Sequence, residues 1–431
     1  MAINPDNLTY INADLIKSGT ACITVVADGH ELTLPVLSKD MLKVVDGNIY
    51  SDVAEDSIKP NTPCIMVAQG DRHIMLPMFW TEFFGTKDDP EVSGTHTLWL
   101  WGSFFGKKIP TKLDDRQWQS IALGYAGENL VLDAEGKLYG LDNSLKLHSL
   151  DSEVIKQNTW SYIEYDGEGD YYAIDSSGVL YAITAYDVFS EIIVEQVEVA
   201  ASNRWRCISA AVGTYLAIDT EGFLWAWGSN GYGQLGLGDR NARSEPVKVG
   251  EKIWKQVRTT GYNTFGIDAD GYLYAWGYNS AGQLGTNLGL ISDYIMSPAP
   301  IGEKTWKYVT AATLNNDNMC YAMAIDEYDL LFAWGYNSAG QFGIKDLSWD
   351  LHTSPIKVGD SACKYVSAGG GTSPCSMFID NDGYLWACGS NANYLLGNNG
   401  ATTEYREFQK VGSSKWKQVF AGDKTAAAIG L

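Results

Sequence analysis

Two kinds of short stretch have the spacing of ligand-binding loops. Residues 231–236 read GYGQLG, a Gly-x-Gly-x-x-Gly spacing that can place backbone amides around a pyrophosphate. That chemistry needs the loop to join a strand to a helix, whereas strand patterns flank this loop on both sides. The sister loops at 281–285 and 339–343 read AGQLG and AGQFG. We therefore interpret these glycines as turn residues and predict no bound nucleotide.

The second kind of stretch is acidic, because Asp268-Ala-Asp-Gly271 and Asp380-Asn-Asp-Gly383 begin like a calcium-binding loop. Neither continues with the later oxygen ligands or the closing glutamate that such a loop requires. Both lie where a hairpin is expected, since glycine accepts positive φ and aspartate can bond its own backbone. Asp329 replaces the hairpin glycine in a sister unit, which indicates a conformational requirement and predicts no metal.

The histidines and cysteines form no recognisable catalytic or metal-binding pattern. No histidine has the spacing of a metal ligand, and none lies beside a Ser or Cys nucleophile motif. The five histidines are His30, His73, His96, His148 and His352. A zinc site would need paired cysteines, and no Cys-x-x-Cys occurs. We instead predict buried free thiols at Cys22, Cys64, Cys207, Cys320, Cys363, Cys375 and Cys388. These observations predict that the chain is not an enzyme and binds no cofactor.

The composition is globular and strongly acidic. The 431 residues carry 52 acidic and 31 basic side chains, a net charge of −21, and the basic residues are scattered. Such a chain repels phosphate backbones, which predicts no nucleic-acid binding. No run of about eighteen apolar residues is present, which predicts no membrane span. The start, MAINPDNLTY, lacks the pattern of a secretion signal, so we expect synthesis in the cytoplasm.

A repeated stretch organises the longer, second part of the chain. Its four clearest copies lie roughly fifty residues apart, at 217–236, 265–285, 324–343 and 378–397. Each copy has a short strand, an Asp-containing hairpin turn, an aromatic-rich strand and a loop of small residues, with no helical period. Because one such sheet cannot bury both of its faces, several must pack around an axis as a β-propeller.

The residue that opens each unit gives the expected number of blades. The opening residues are Trp118, Trp160, Trp205, Trp254, Trp306, Cys363 and Trp416. They predict an all-β, seven-bladed β-propeller. The last unit stops at Leu431, where its next strand should begin, and residues 98–102 (LWLWG) have the pattern of that strand. We predict that this N-terminal strand completes the last blade and closes the ring, which removes open sheet edges.

These units resemble the regulator of chromosome condensation repeat, whose unit reads like AxG..H…L..DG.LYAWGxNxxGQLG. The resemblance covers about residues 95–431 and is specific in four units, while the units at Trp118 and Trp160 lack the WGxNxxGQLG tail. It implies a seven-bladed propeller used as an interaction surface. Founding members of the family exchange nucleotide on a small GTPase and contact chromatin, other members bind proteins, and one bacterial type inhibits β-lactamase. The acidic charge of this chain argues against chromatin binding.

Residues 1–90 are predicted to form a separate small β domain with an internal duplication, and residues 91–431 to form the propeller. Segment 21–29 (ACITVVADG) matches segment 63–70 (PCIMVAQG), and a Leu-Pro pair follows each. One alternative is two packed hairpins with no partner. The other is a docking module, because the second copy has more large apolar surface than so small a domain can hide. The predicted docking residues are Met78, Phe79, Trp80, Phe83 and Phe84.

The loops between strands are predicted to bind a protein or glycan partner, because loops on a rigid scaffold carry recognition. Aromatic side chains suit this role, since they bring a large contact area with few rotatable bonds. The predicted partner-binding residues are Tyr232, Tyr294, Trp349, Tyr394 and Tyr405. For the repeat tyrosines Tyr278 and Tyr336, packing between blades is the alternative.

Three functions remain open from the sequence. The first is a structural protein that docks through residues 1–90 on other structural proteins of an assembly and displays the propeller to a partner or host surface. A bacteriophage tail or head appendage fits this description, and we expect incorporation into a virion. The second is an intracellular regulatory scaffold or GTPase exchange factor. The third, a propeller lyase or glycosidase, would require clustered acidic residues with shifted pKa values in the central channel.

Overall fold

The structure is a computed structural model that divides into two compact units, Met1–Thr86 and Lys87–Leu431. The described residues of the first unit are 22–27, 30–35, 42–45, 48–51, 64–69 and 72–77. Those of the second unit are 96–124, 128–186, 191–196, 204–286, 293–314, 319–345 and 351–431. The predicted domain boundary at residues 90 and 91 lies outside the described residues. So do the predicted docking residues Met78, Phe79, Trp80, Phe83 and Phe84.

The described part of the first unit consists of antiparallel hairpins. They pair β1 (Cys22–Ala27) with β2 (His30–Pro35), β3 (Leu42–Val45) with β4 (Asn48–Ser51), and β5 (Cys64–Gln69) with β6 (Arg72–Pro77). The first and last hairpins share one register, since Cys22 lies opposite Pro35 and Cys64 lies opposite Pro77. The two matching sequence segments therefore fold into equivalent hairpins.

The second unit begins with β7 (Leu98–Gly102) and β8 (Lys107–Lys112), which belong to its last sheet. The first sheet then follows in chain order, as β9 (Trp118–Leu123), β10 (Asn129–Asp133), β11 (Leu138–Leu141) and β12 (Leu147–Ser149). A short helix, α1 (Glu153–Gln157), leads into the second sheet. That sheet contains β13 (Trp160–Tyr165), β14 (Asp170–Asp175), β15 (Leu180–Tyr186) and β16 (Glu191–Gln196).

Long strands join each of the remaining sheets to the next. The third sheet contains β17 (Trp205–Ala211), β18 (Thr214–Asp219), β19 (Phe223–Gly228) and the first part of β20 (Arg243–Thr259). The second part of β20 opens the fourth sheet, and β23, β26 and β29 open the next three in the same way. The strands from there on are β21 (Asn263–Asp268), β22 (Tyr272–Tyr278), β23 (Tyr294–Leu314), β24 (Met319–Asp326), β25 (Leu330–Gly335), β26 (His352–Gly369), β27 (Cys375–Asp380), β28 (Tyr384–Ser390), β29 (Glu404–Ala421) and β30 (Ala426–Gly430).

The last sheet joins the two ends of the unit. Strand β30 pairs with β29 on one side and with β7 on the other, where Ala426 lies opposite Trp101 and Ile429 opposite Leu98. Residues 98–102 thus take the place in the last sheet that the sequence predicted. The described residues pair into seven four-stranded sheets, each opened by one of the predicted opening residues. That each sheet is one blade of a seven-bladed ring stays a prediction.

The opening tryptophans form the core of the sheets. Trp118 and Trp254 are 1% exposed, and Cys363, which takes the tryptophan position in its unit, is fully buried. The Trp254 ring packs edge-on against Tyr274 of the third strand at 5.4 Å between centroids. Equivalent edge-on pairs join Trp118 to Tyr139, Trp160 to Tyr181, Trp306 to Phe332 and Trp416 to Trp99. Each opening residue is thus buried, and these opening tryptophans also pack against an aromatic ring of their own sheet.

Candidate functional site

The Asp-containing turns use their carboxylates to bond their own backbone. Asp268 Oδ1 accepts hydrogen bonds from the amides of Asp270 at 3.1 Å and Tyr272 at 2.9 Å. The turn glycine Gly271 has φ of +90°, and Asp329 in the equivalent position has φ of +65°. The position therefore requires left-handed backbone, as the Asp329 replacement predicted. Among the described residues, no three His, Cys, Asp or Glu side chains are grouped to hold a metal ion.

The GYGQLG loop packs against the neighbouring sheet. Gly233 and Gly236 have φ of +77° and +74°, which confirms that they are turn residues. A Cβ atom on Gly236 would lie 2.8 Å from Nε1 of Trp276 in the fourth sheet, so a larger residue would displace the loop. Gln234 Nε2 donates to the Gly261 carbonyl of that sheet at 3.1 Å. The glycines thus allow close contact between loop and sheet.

Five described cysteines are buried and free, as the sequence predicted: Cys207, Cys320, Cys363, Cys375 and Cys388. Burial raises the pKa of the Cys375 thiol to about 12, which disfavours the reactive thiolate. Cys22 and Cys64 lie in strands whose side chains are outside the described part. Within the described residues, no helix is long and apolar enough to cross a membrane.

Strand direction places most of the predicted partner-binding residues on one side of the second unit. The loops from first to second strands and from third to fourth strands leave the sheets on the same side, which we call the loop face. The opposite side, with the Asp-containing turns, is the hairpin face. Tyr232 and Tyr394 lie in loops of the loop face, and Tyr294 and Tyr405 lie where strands β23 and β29 leave that face. Trp349 lies outside the described residues.

Two of these residues belong to a cluster of four half-buried tyrosines, the tyrosine cluster, formed by Tyr232, Tyr262, Tyr278 and Tyr294. Tyr232 comes from the third sheet and meets Tyr262 and Tyr278 of the fourth sheet edge-on, at 5.1 and 5.2 Å between centroids. Tyr294 lies 6.1 Å from Tyr232 and 6.1 Å from Tyr278. The guanidinium of Arg240 lies 4.7 Å from the Tyr294 ring centroid. Tyr278 therefore packs between the third and fourth sheets. The sequence analysis did not select Tyr262, because it lies in a short turn between two strands.

An open cleft of about 400 Å³ lies beside Tyr232 and Tyr262. Its walls come from three successive sheets, with Glu168 of the second sheet and Val212 of the third among them. Val212 has φ of +47°, an uncommon conformation for a β-branched residue, and its side chain is 37% exposed. Backbone strain of this kind is found where the surrounding structure enforces it, often at binding sites.

Among the described residues that line the cleft, Glu168 is the only charged one. It lies in a turn whose backbone is fixed by buried Asp166, whose Oδ1 accepts from the amides of Glu168, Gly169 and Asp170 at 2.8 to 3.1 Å. Burial raises the pKa of the Asp166 carboxyl. Glu168 itself is exposed, and within the described residues its carboxylate makes no hydrogen bond or ion pair. The cleft thus presents an acidic group beside two aromatic rings.

The other described candidates, Tyr394 and Tyr405, belong to the sixth sheet and do not join the cluster. Tyr394 is 37% exposed, and the Lys108 ammonium lies 4.7 Å from its ring centroid. Tyr405 is half-buried against the core that contains Trp101. Tyr336, a repeat tyrosine of the fifth sheet, is partly buried against its core. The structure therefore brings Tyr232 together with Tyr294 and leaves Tyr394 and Tyr405 apart from them.

A second polar cluster lies on the first strands of the sheets, which are neighbours from one sheet to the next. Arg258 of the fourth sheet approaches Glu164 of the second sheet, with 3.6 Å between Nη1 and Oε2. The Tyr162 hydroxyl lies 3.0 Å from Glu164, and the hydroxyls of Tyr308 and Tyr365 lie 3.3 Å apart. We call these five residues the channel cluster. Sequence reasoning missed it, although each member lies two or four residues after an opening residue.

The channel cluster balances its charges. Burial raises the pKa of the Glu164 carboxyl, and the neighbouring Arg258 opposes that shift. The side chains of Arg258 and Glu164 are 27% and 23% exposed, so water reaches both. A single carboxylate matched by a guanidinium differs from the clustered acids that the lyase or glycosidase hypothesis required, and no described residue adds a second acid to this cluster.

Comparison with known proteins identifies the repeat. Residues 221–265 match a family model of the regulator of chromosome condensation (RCC1) repeat. Residues 254–283 match a second family model of the same repeat. Residues 221–283 carry RCC1 repeats. The resemblance inferred from sequence is thereby confirmed. Neither match extends into residues 1–90.

A curated relative and several solved structures extend the similarity. The ultraviolet-B receptor UVR8 of Arabidopsis thaliana is 26% identical over 228 residues, which are 49% of this chain and 47% of that protein. The match thus spans about half the length of that relative. Yeast RCC1 (Prp20) bound to Kap60 has 16% identity and a TM-score of 0.64, and covers 78% of this chain and 88% of its own.

Two further structures show the same fold. Prp20p of Saccharomyces cerevisiae, described with its binding to Gsp1p and histones, has 16% identity and a TM-score of 0.64, over 78% of this chain and 91% of that chain. Human WBSCR16 has 17% identity and a TM-score of 0.63, over 78% of this chain and 98% of that chain. At such identities the likeness shows the fold alone, which is the RCC1-type β-propeller of an all-β chain.

Proposed function

We propose that this chain is a non-enzymatic interaction protein whose RCC1-type propeller binds a protein partner through its loop face. The observation that carries the proposal is the tyrosine cluster beside the Glu168 cleft. Aromatic residues held rigidly around a concave site are typical of binding centres, because little rotamer entropy is lost on contact. The rings come from two sheets, so the fold itself sets their arrangement.

The channel cluster supports a non-enzymatic role. General acid–base chemistry needs a titratable group that can reach a substrate with a proton to give or accept. Glu164 is instead matched by Arg258 and bonded by the Tyr162 hydroxyl, which makes the cluster a connection between sheets. Nothing in this arrangement favours an enzymatic function over an interaction function.

For the first unit we propose a docking role on other structural proteins of a larger assembly, such as a bacteriophage tail or head appendage. The support is the sequence of residues 75–84, MLPMFWTEFF, whose apolar surface exceeds what a domain of this size can bury alone. In this proposal the chain is synthesised in the cytoplasm and then incorporated into a virion. Sedimentation of native material tests it, because a docked chain travels with large particles at fixed stoichiometry. Recovery of the chain only among small proteins overturns it.

A GTPase exchange factor is the second candidate function, because the similar Prp20p is described as binding Gsp1p. This candidate predicts faster nucleotide release from a small GTPase that co-purifies with the chain. No acceleration across a panel of such GTPases rejects it.

The test of loop-face binding is capture of native partners by the purified full chain and by variants. We expect Tyr232→Leu to lower capture of a specific partner by about tenfold, or about 1.4 kcal/mol, which is more than most interface residues contribute. Tyr328→Leu is the matched control, because Tyr328 is 71% exposed in a turn of the hairpin face. Equal capture by Tyr232→Leu and by the unchanged chain contradicts the proposal.

A further inference from the structure

We infer that the Glu168 cleft takes the arginine side chain of a basic segment on a protein partner. The inference rests on the proposed function, and it names the chemistry of the partner at that site. It is carried by the carboxylate of Glu168 and the rings of Tyr232 and Tyr262, which line one cleft.

The negative charge of Glu168 favours a positively charged ligand in the cleft. Glu168 is the only charged residue in the described part of the lining, and its turn also contains Asp166 and Asp170. Arg240 packs on the Tyr294 ring, and neither of these residues is among the described residues that line the cleft. An entering guanidinium can therefore pair with Glu168 without competing for an existing ion pair.

The aromatic walls favour arginine among cations. A guanidinium is planar, stacks on tyrosine rings and offers a fork of donors to a carboxylate. Tyr232 and Tyr262 meet nearly at right angles, with 85° between ring planes, so one wall can offer a face while the other offers an edge. A volume of about 400 Å³ leaves room for one such side chain and part of its backbone.

Other occupants fit the cleft less well. A sugar is held mainly by hydrogen bonds, and the Gln234 amide in the cleft is already used by the Tyr232 amide and the Gly261 carbonyl. A second copy of this chain also has a net charge of −21, so it would be repelled by an acidic cleft. A basic protein segment meets no such penalty, and its charge complements the whole chain.

The experiment measures binding of the full chain to an immobilised peptide of four Gly-Ser-Arg-Gly repeats, with a matched peptide that has glutamine for arginine. Biolayer interferometry gives both affinities at low salt. We expect Glu168→Gln to weaken binding to the arginine peptide about fivefold, the size of a partly exposed ion pair. Tyr232→Leu should weaken it about threefold, as expected for a cation–π contact.

Matched variants on the hairpin face separate the cleft from general attraction between an acidic chain and a basic peptide. Glu221→Gln makes the same change of charge at an exposed turn, and Tyr328→Leu removes an exposed ring. Both should alter binding by less than about twofold. Equal losses for Glu168→Gln and Glu221→Gln overturn the inference. So does equal binding of the glutamine peptide, or displacement of the arginine peptide by a neutral oligosaccharide.

Failure of this inference can be told from failure of the proposed function. If Tyr232→Leu lowers capture of the native partner while Glu168→Gln does not, loop-face binding stands and the arginine assignment is wrong. If neither variant lowers capture, loop-face binding itself is wrong. Because Glu168 is an exposed turn residue, its replacement should leave thermal unfolding unchanged, and this is checked first.

Discussion

Replacing Arg258 by methionine is expected to destabilise the propeller, because it leaves the Glu164 carboxylate in the channel without its cation. Breaking a fully buried ion pair costs about 3–5 kcal/mol. Here the two side chains are 27% and 23% exposed, so water offsets part of that cost. We therefore expect a loss of about 2 kcal/mol in the free energy of unfolding at pH 7.

Glu164→Gln should behave differently, although it breaks the same pair. Burial raises the pKa of Glu164 in the folded chain, and Arg258 reverses only part of the shift. The folded state thus binds more protons than the unfolded state above the ordinary pKa of glutamate, and its stability falls as pH rises through that window. Glutamine resembles the protonated acid, so the variant should be at least as stable as the unchanged chain at pH 7. Its advantage should shrink as pH falls toward the ordinary pKa of glutamate, where the unchanged chain is also protonated at this position.

Urea unfolding followed by tryptophan fluorescence measures both variants between pH 4 and pH 8. Every tryptophan except Trp80 lies after Thr86, so the signal reports the propeller unit. Lys357→Met is the control, because its ion pair with Asp360 is exposed to solvent and should contribute little to stability. A larger loss of unfolding free energy for Glu164→Gln than for Arg258→Met at pH 7 refutes the reasoning. The attraction between Arg258 and the Glu164 carboxylate would then exceed the cost of burying that carboxylate.

Further predictions concern closure, turns and thiols. Trp101→Ala in the closing strand should cost about 3–5 kcal/mol in urea unfolding, because Trp101 is fully buried. Gly271→Ala should cost about 1–2 kcal/mol, since its φ of +90° is strained but a Cβ meets its nearest atom only at 3.4 Å. Gly285→Ala should cost more, because its Cβ would lie 2.5 Å from the Trp334 ring. Cys375 should resist a thiol reagent until the chain unfolds, because burial raises its pKa to about 12.

Much of the fold could be predicted because its signals are local and recur. Each opening tryptophan and each Asp-containing turn can be recognised within a few residues, and their recurrence gives the strand order. The closing strand could be predicted because the last unit stops at Leu431 and residues 98–102 have the missing pattern. The channel cluster could not, since Glu164 and Arg258 belong to different units and meet only when the first strands surround a common axis.

The candidate site was predicted only in part, for a related reason. Tyr232 and Tyr294 were selected individually as loop aromatics, but their contact depends on the distance between neighbouring sheets. Tyr262 carries no signal of its own, because it lies in a short turn between two strands. Glu168 is one of many acidic residues in an acidic chain, and only the cleft distinguishes it. Composition therefore pointed to the kind of residue, and topology determined which residues meet.

The joint between the third and fourth sheets explains why the tyrosine cluster can be a preformed site. Ser209 Oγ accepts from the Thr259 amide at 3.1 Å, and Arg206 Nη2 donates to the Trp254 carbonyl at 2.7 Å, so the first strands of the two sheets are bonded. Gln234 adds a bond at the loop face itself. These bonds hold the tyrosine rings of the two sheets at fixed distances. Little conformational entropy of the rings is therefore lost when a partner binds. A site on a single mobile loop would lack this property, which is why the cluster favours the loop face over the other described surfaces.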